Sequence, residues 1–315
     1  MSEHAVQSPL DITDGFIVTK AYRLFAEFCD ACRKYQYIGI CYGAPGVGKT
    51  LSARHYARWD LLEPIMLHPA TTEARPRELA TCRSVLYTPA VTYTARGMER
   101  DIAELRRRLH YVVEDVKHVH QLLGADASPA LPSKDLIMID EADRLKMIGL
   151  EHLYVIYNLK RNGRLLNNLH YVYSELVSYV LFQRSRARLY IIRDIYDREA
   201  FGLVLIGMPG IEKRLARYAQ LYSRVGFVHQ FHSLSTEEVR FILEHKWQQI
   251  GVRLQPDDFS DMEAVSAVIR ITGGNFRLIH RLCTQIERIL QINEMHMVTK
   301  EVVEVAREQL VIGQV

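Results

Sequence analysis

The stretch "ICYGAPGVGKTLSARHYA", residues 40–57, constrains the fold most strongly. In it a short apolar run leads into a glycine-rich loop and then into a helical pattern. Residues 43–50 match the pattern G-x-x-x-x-G-K-[ST] between a predicted strand and a predicted helix. The glycines allow successive backbone N–H groups to curl around a phosphate, and the helix N-terminus adds positive potential. The sequence therefore predicts a nucleotide phosphate site in an α/β fold.

The chemistry of this loop assigns roles to individual residues. The predicted ATP-binding residues are Gly43, Ala44, Pro45, Gly46, Val47, Gly48, Lys49 and Thr50. Lys49 is expected to bridge the β- and γ-phosphates, and the Thr50 hydroxyl is expected to ligate Mg²⁺. Asp140 ends the apolar strand "DLIMID" as a second Mg²⁺ ligand, and Glu141 is placed next to it to polarise the attacking water. The predicted cofactors are ATP and Mg²⁺.

Strand and helix patterns alternate along the first two thirds of the chain. Apolar strands are predicted at 84–89, 135–140 and 202–210, and a charge-rich helix at 96–123. This alternation indicates a parallel sheet covered by helices on both faces. After residue 232 the pattern becomes wholly helical, beginning with a capping box at 235–238. The predicted organisation is a flexible tail at 1–15, an α/β nucleotide-binding domain at 16–232 and an all-helical lid domain at 233–315.

The composition of the chain indicates its cellular compartment and the kinds of partner it can bind. Lys plus Arg number 40 against 37 for Asp plus Glu, so any nucleic-acid surface must be a local patch. Five cysteines without a repeating frame are typical of a reducing compartment. No signal peptide is apparent, and no apolar run approaches the ~20 residues that span a bilayer. These observations predict a cytoplasmic protein with no membrane partner.

Two arginines are candidates for contact with the γ-phosphate. Arg224 lies near the end of the predicted α/β domain, where a residue at a subunit edge can reach a neighbour's nucleotide. Arg277 lies at the start of a lid helix, from which it can close onto the same phosphate. For each arginine the alternative is an ordinary surface ion pair.

Taken together, these residues resemble the AAA+ ATPases. The matching segments are a Walker A loop at 43–50, a Walker B strand at 136–145, a sensor-1 strand, an arginine-finger position and a sensor-2 arginine. The resemblance covers about residues 16–310. Within the AAA+ ATPases the sequence looks most similar to the transposition target-selector group, MuB, TniB and TnsC. The segments "DEADRL", "LIGMPGIEKRLARYAQLYSRVGFVHQF" and "GGNFRLIHRL" carry that narrower likeness. Secretion ATPases of the ExeA type and helicase loaders share the same frame.

The resemblance implies a protein that binds double-stranded DNA in an ATP-dependent way and self-associates into a ring or filament. Arg224 would complete the site of a neighbouring subunit, and the assembly would recruit and activate a DDE-type transposase. The first alternative is an ExeA-type secretion ATPase, but such a protein normally carries an added transmembrane or wall-binding segment, and none is predicted here. A helicase loader or replication initiator stays as the other alternative. A metabolic P-loop kinase is disfavoured by Arg224, Arg277 and the helical lid.

The sequence departs from the AAA+ pattern at the sensor-1 position. A polar residue usually follows the strand there, whereas this chain has Met208, whose thioether is only a weak acceptor. Slow, switch-like hydrolysis is therefore expected.

Residues 154–192 look like an insertion between Walker B and sensor 1. They contain six of the 17 tyrosines, six basic residues and one acidic residue. Such a segment could contact DNA by stacking and phosphate pairing, or it could be a peripheral insertion. The peripheral insertion is the preferred interpretation, because the chain without it still provides one helix and one strand between Walker B and sensor 1. Other candidate DNA contacts are Arg96, Arg100 and the arginine run at 106–108.

Overall fold

A computed structural model gives the arrangement of most of the chain. It describes residues 11–13, 15–68, 75–122, 134–146, 149–150, 153, 157, 201–252 and 258–310. The chain divides into two compact units: a lid unit of residues 1–24, 43–49 and 230–315, and a sheet unit of residues 25–42 and 50–229. The strands are β1 (Asp11–Thr13), β2 (Phe16–Val18), β3 (Ile38–Gly43), β4 (Ser84–Tyr87), β5 (Leu136–Ile139), β6 (Gly202–Gly207) and β7 (Val225–Phe231). The α-helices are α1 (Lys20–Tyr35), α2 (Lys49–Tyr56), α3 (Trp59–Leu67), α4 (Ala95–Leu122), α5 (Ile211–Ala216), α6 (Ala219–Tyr222), α7 (Thr236–Gln249), α8 (Phe259–Thr272), α9 (Phe276–Ile292) and α10 (Lys300–Glu308). Two 3₁₀ turns cover Arg77–Thr81 and Ala142–Arg144.

The centre of the fold is a parallel five-stranded sheet in the order β4-β5-β6-β3-β7, which confirms the predicted fold class. Every residue of β4, β5 and β6 is buried, as expected for strands covered on both faces. The registers pair Tyr42 with Gly207 and Ile139 with Leu205. The carboxyl ends of β3, β5 and β6 therefore lie side by side, at the edge where open α/β sheets bind their ligands.

Helix α1 covers the sheet with the face that its sequence pattern predicts. Phe25, Phe28, Cys29 and Cys32 are its buried residues, at helical spacing. All five cysteines of the chain are buried free thiols. The Cys29–Cys32 pair therefore packs in the core as an apolar pair.

The lid helices α7–α10 surround a core of their own. Trp247 and Leu243 of α7, Leu282 of α9 and Val303 of α10 are all buried in it. The predicted capping box is present, because Ser235 and Glu238 each accept a hydrogen bond from the other's backbone N–H. The lid is thus a compact helical bundle with a defined start.

A short hairpin corrects the prediction that residues 1–15 form only a tail. β1 and β2 pair antiparallel around Gly15, whose φ of 76° suits a tight turn that other residues enter with strain. Ile17 packs against the core of the lid unit, and the Lys20 backbone N–H donates to Glu238 Oε1 at 3.2 Å. These long-range contacts hold a segment whose local sequence is too polar and short to indicate a strand.

A buried ionic cluster fastens α4 to the start of β5. Arg106 donates two hydrogen bonds to Asp135 Oδ2, at 3.1 Å from Nε and 2.7 Å from Nη2, and His110 Nε2 lies 2.9 Å from the same oxygen. The guanidinium also lies 5.0 Å from the ring centre of Phe201. Arg106 is therefore a structural residue, and its assignment as a candidate DNA contact was wrong. Its neighbours Arg107 and Arg108 are paired with Glu104 on the exposed side of the helix.

The pKa of Asp135 predicts a stability change in acid. Burial alone would raise this pKa, but the hydrogen bond from His110 and the charge of Arg106 outweigh it and lower the pKa from 3.8 to about 2. Because the pKa of Asp135 is lower in the folded state, its ionised carboxylate contributes to the free energy of unfolding. That contribution is complete above pH 4 and is lost as the pH falls towards 2. It amounts to on the order of 2 kcal/mol.

The measurement is the free energy of unfolding in urea at several pH values between 5 and 3 for the parent and Asp135→Asn. The difference between the two proteins should shrink as the pH falls. A difference that stays constant over this range would show that Asp135 is not held ionised by its partners.

The proposed insertion, residues 154–192, lies outside the described residues except at Tyr157. Residues 149, 150, 153 and 157 are helical, and Leu150, Leu153 and Tyr157 are buried. The Tyr157 hydroxyl donates to Gln36 O, and its ring packs edge-on against Phe201 at 6.2 Å. A tyrosine at this position is therefore part of the core of the sheet unit.

The sequence supplies a replacement for Tyr157 if the segment is removed. Deleting 154–192 joins Leu153 to Arg193, so Ile195 and Tyr196 take the positions of Ile156 and Tyr157. We expect the shortened protein to fold, with Tyr196 in the core position. In that protein Tyr196→Ala should lower the free energy of unfolding by about 3 kcal/mol, as loss of a buried aromatic ring does.

The control is the same Tyr196→Ala substitution in the full-length chain, where Tyr157 keeps its position and the expected loss is below about 1 kcal/mol. Urea denaturation of the four proteins gives the comparison. Equal losses in both backgrounds, or a deletion variant that does not fold, would show that the segment is an integral part of the domain.

Candidate functional site

The glycine loop after β3 has the backbone geometry of a phosphate cradle. Gly46 and Gly48 have φ values of 82° and 97°, in the left-handed region that glycine enters without strain. Lys49, the first residue of α2, donates from Nζ to Gly43 O at 2.6 Å and to Ala44 O at 2.8 Å. The loop, its lysine and the helix start fit the phosphates of ATP.

The start of α9 is bonded to the same loop, within the lid unit. Asn275 caps α9, accepting from the Leu278 backbone N–H at 3.2 Å, and its Nδ2 donates to Pro45 O at 2.8 Å. The Arg277 backbone N–H donates to Gly46 O at 3.1 Å. A Cβ added at Gly46 would lie 2.4 Å from Asn275 Oδ1, so only glycine fits at this contact. Arg277 was predicted from the sequence. Asn275 was not, although its position directly before a helix was the available signal.

The acidic pair follows β5 in the sheet unit. Asp140 is buried, and its Oδ1 accepts from the Glu141 backbone N–H at 2.9 Å. Glu141 adopts a left-handed backbone with φ of 49°, a conformation that costs free energy for a residue other than glycine and is common at functional sites. Its exposed carboxylate pairs with Arg144. Because this pair is exposed it is weak, so Glu141 is free to exchange it for a water molecule.

Two residues that the sequence analysis missed connect the Walker B turn to the end of β6. Asp143 Oδ2 accepts from the Met208 backbone N–H at 2.7 Å, and a Cβ at Gly207 would lie 2.9 Å from the same oxygen. Arg214 of α5 donates to Asp143 O at 2.7 Å and to Leu145 O. The Met208 side chain is exposed. The expectation of slow hydrolysis, based on its thioether, stays a prediction.

The structure gives the positions of Thr50 and Arg224, but their contacts do not test the roles predicted for them. Thr50 is an exposed residue in the first turn of α2. Arg224 precedes β7, and its backbone oxygen accepts from Ile38 N at 3.2 Å. Its side chain makes no hydrogen bond or ion pair with any residue that the structure describes. Its predicted action on a neighbouring subunit therefore stays a prediction.

Comparison with known proteins identifies the class. A family model described as "AAA domain" matches residues 32–215. A Staphylococcus aureus relative named "Potential ATP-binding protein" is 41% identical over 308 residues, covering 95% of this chain and 97% of that protein. The chain therefore belongs to the AAA domain family of P-loop ATPases.

Solved structures support the fold. The Thermotoga maritima RuvB Holliday junction branch migration motor aligns with a TM-score of 0.54 at 16% identity, covering 96% of this chain and 72% of that chain. The Aeropyrum pernix ORC1 protein in complex with DNA aligns with a TM-score of 0.50 at 19% identity, covering 92% of this chain and 64% of that chain. At this identity the likeness establishes the α/β fold with C-terminal helices and nothing finer.

Proposed function

We propose that the protein is an ATP-hydrolysing switch that assembles on double-stranded DNA in its ATP-bound form and recruits a DDE-type transposase. The observation that carries the ATPase part is the phosphate loop. Its left-handed glycines lead into α2, which begins at Lys49, and its carbonyls accept hydrogen bonds from the start of α9. A loop with these donors and this helix connection fits a nucleoside triphosphate.

Lys49, Thr50 and the acidic pair each have a proposed part in this reaction. Lys49 binds the β- and γ-phosphates, and Thr50 and Asp140 ligate Mg²⁺, which neutralises phosphate charge when bound. Glu141 polarises the attacking water after releasing Arg144. Met208 offers no strong acceptor to hold that water, which favours slow turnover and suits a switch better than a motor.

Self-association is proposed from the side chain of Arg224. Arg224 is half-buried at the end of that unit, and its side chain has no partner among the described residues. An unpaired guanidinium at a subunit edge is suited to the γ-phosphate of a neighbour, where it would link ATP binding to ring or filament formation.

The DNA and transposase parts rest on likeness. The segments "DEADRL" and "GGNFRLIHRL" resemble those of the transposition target selectors. The two structural neighbours are a branch migration motor and a protein solved in complex with DNA, which favours a DNA-associated role. A replication initiator or helicase loader is the second candidate, favoured by the likeness to ORC1. Co-purification with a transposase or with a helicase distinguishes the two.

Among the described residues no helix is long and apolar enough to cross a membrane.

Two Walker substitutions test the proposed function. Lys49→Ala should abolish ATP binding, because it removes the cation that binds the phosphates. Glu141→Gln should bind ATP normally and remain assembled on DNA, because it keeps the phosphate loop and loses the base. The measurements are equilibrium binding of a fluorescent ATP analogue, and light scattering with a DNA duplex and ATP.

Lys49→Ala and Glu141→Gln are each other's control, since both alter one charged residue of the same site. Retained micromolar ATP affinity in Lys49→Ala would refute the assignment of the loop. DNA binding by the parent that is the same with ATP, with ADP and without nucleotide would contradict the switch.

A further inference from the structure

One face of α9 carries basic side chains from its first turn to Arg288. The opposite face supplies the lid core with Ile279, Leu282, Cys283, Ile286, Ile289 and Leu290. From residue 277 to 288 the exposed positions recur at helical spacing and are Arg277, His280, Arg281, Thr284 and Arg288, while Glu287 next to Arg288 is half-buried. We call these five residues the basic face of α9. It contains three arginines and no acidic residue.

These arginines differ from the basic side chains of α8 and α10 in having no ion-pair partner among the described residues. Arg270 and Arg307 both pair with Glu304, and Lys300 pairs with Glu263. By contrast, the side chains of Arg281 and Arg288 make no ion pair or hydrogen bond with any described residue. The acidic side chains of α8 and α10 thus pair with cations on those two helices, whereas Arg281 and Arg288 of α9 have no such partner among the described residues.

We propose that the basic face of α9 binds the sugar-phosphate backbone of double-stranded DNA. Arg281 and Arg288 are seven residues apart, two helical turns or about 10 Å along the axis, so both can reach phosphates on one side of the helix. Guanidinium groups match phosphate oxygens in charge and geometry. Since the chain carries a formal net charge of only +3, attraction to DNA must come from a local patch of this kind.

DNA is favoured over other polyanions by the place where this face begins. Its first arginine, Arg277, donates its backbone N–H to Gly46 of the phosphate loop, and the preceding Asn275 bonds to Pro45. A DNA-binding helix that is hydrogen-bonded to the phosphate loop would couple DNA binding to the nucleotide, as the proposed function requires. The inference rests on the proposed function and names the surface through which it acts.

The test is the double variant Arg281→Gln/Arg288→Gln, which keeps side chains of similar reach and removes both charges. Binding of a short fluorescein-labelled duplex is followed by anisotropy with ATPγS, over a range of salt concentrations. We expect Kd for DNA to rise about 10-fold or more, and the slope of log K against log salt to fall in magnitude by about 2, one per phosphate contact. ATP affinity should not change.

The matched control is Arg270→Gln/Arg307→Gln, which removes two exposed arginines of the same unit that are already paired. This variant should bind DNA as the parent does. The proposal is overturned if both double variants lose DNA affinity equally, or if Arg281→Gln/Arg288→Gln keeps the parent's affinity and salt slope. It is also overturned if the basic face supports binding to anionic phospholipid vesicles but not to DNA.

Failure of this inference can be told apart from failure of the proposed function. If the parent binds DNA in an ATP-dependent way and Arg281→Gln/Arg288→Gln does too, the function stands and the surface is wrong. If the parent binds ATP but binds DNA in no nucleotide state, the DNA-binding function and the surface are both wrong.

Discussion

Four successive carbonyl oxygens of the phosphate loop are held by donors, and the candidate site depends on this arrangement. Lys49 Nζ donates hydrogen bonds to the carbonyl oxygens of Gly43 and Ala44. Asn275 Nδ2 donates to the carbonyl oxygen of Pro45, and the Arg277 backbone N–H donates to that of Gly46. A loop that turns its N–H groups towards a phosphate must turn its carbonyls elsewhere, and those carbonyls need partners. Half of the partners here come from the start of α9, so the loop and the lid share one hydrogen-bonded structure.

This sharing gives nucleotide binding a direct route to the lid. A bound triphosphate would attract the Lys49 ammonium, which donates to the carbonyls of Gly43 and Ala44 in this structure. The hydrogen bonds from Asn275 and Arg277 would then be the main contacts that hold the loop in its conformation. Any adjustment at Pro45 or Gly46 moves the first turn of α9, because Asn275 both caps the helix and holds the loop. The proposed DNA surface on α9 would respond to the nucleotide through these two bonds.

The parts of the fold that sequence could predict are those with local patterns. The phosphate loop, the buried strands and the four lid helices follow from glycine spacing, apolar runs and helical periodicity. The missed features all depend on partners distant in sequence. Asn275 and Pro45 are 230 positions apart, and Asp143 meets Met208 across 65 positions. The burial of Arg106 was missed for the same reason, since an arginine run on a charged helix gives no sign that one member faces Asp135.

The most direct test of the link between loop and lid is amide hydrogen exchange with and without ATPγS, in the parent and in Asn275→Ser. Serine caps a helix about as well as asparagine but lacks the amide donor to Pro45. In the parent, the nucleotide should slow exchange both in the loop, residues 43–49, and in the first turns of α9, residues 276–282. In Asn275→Ser, it should slow exchange in the loop and leave the helix largely unaffected. Slowing confined to the loop in the parent, or an equal response of both segments in Asn275→Ser, would contradict this account.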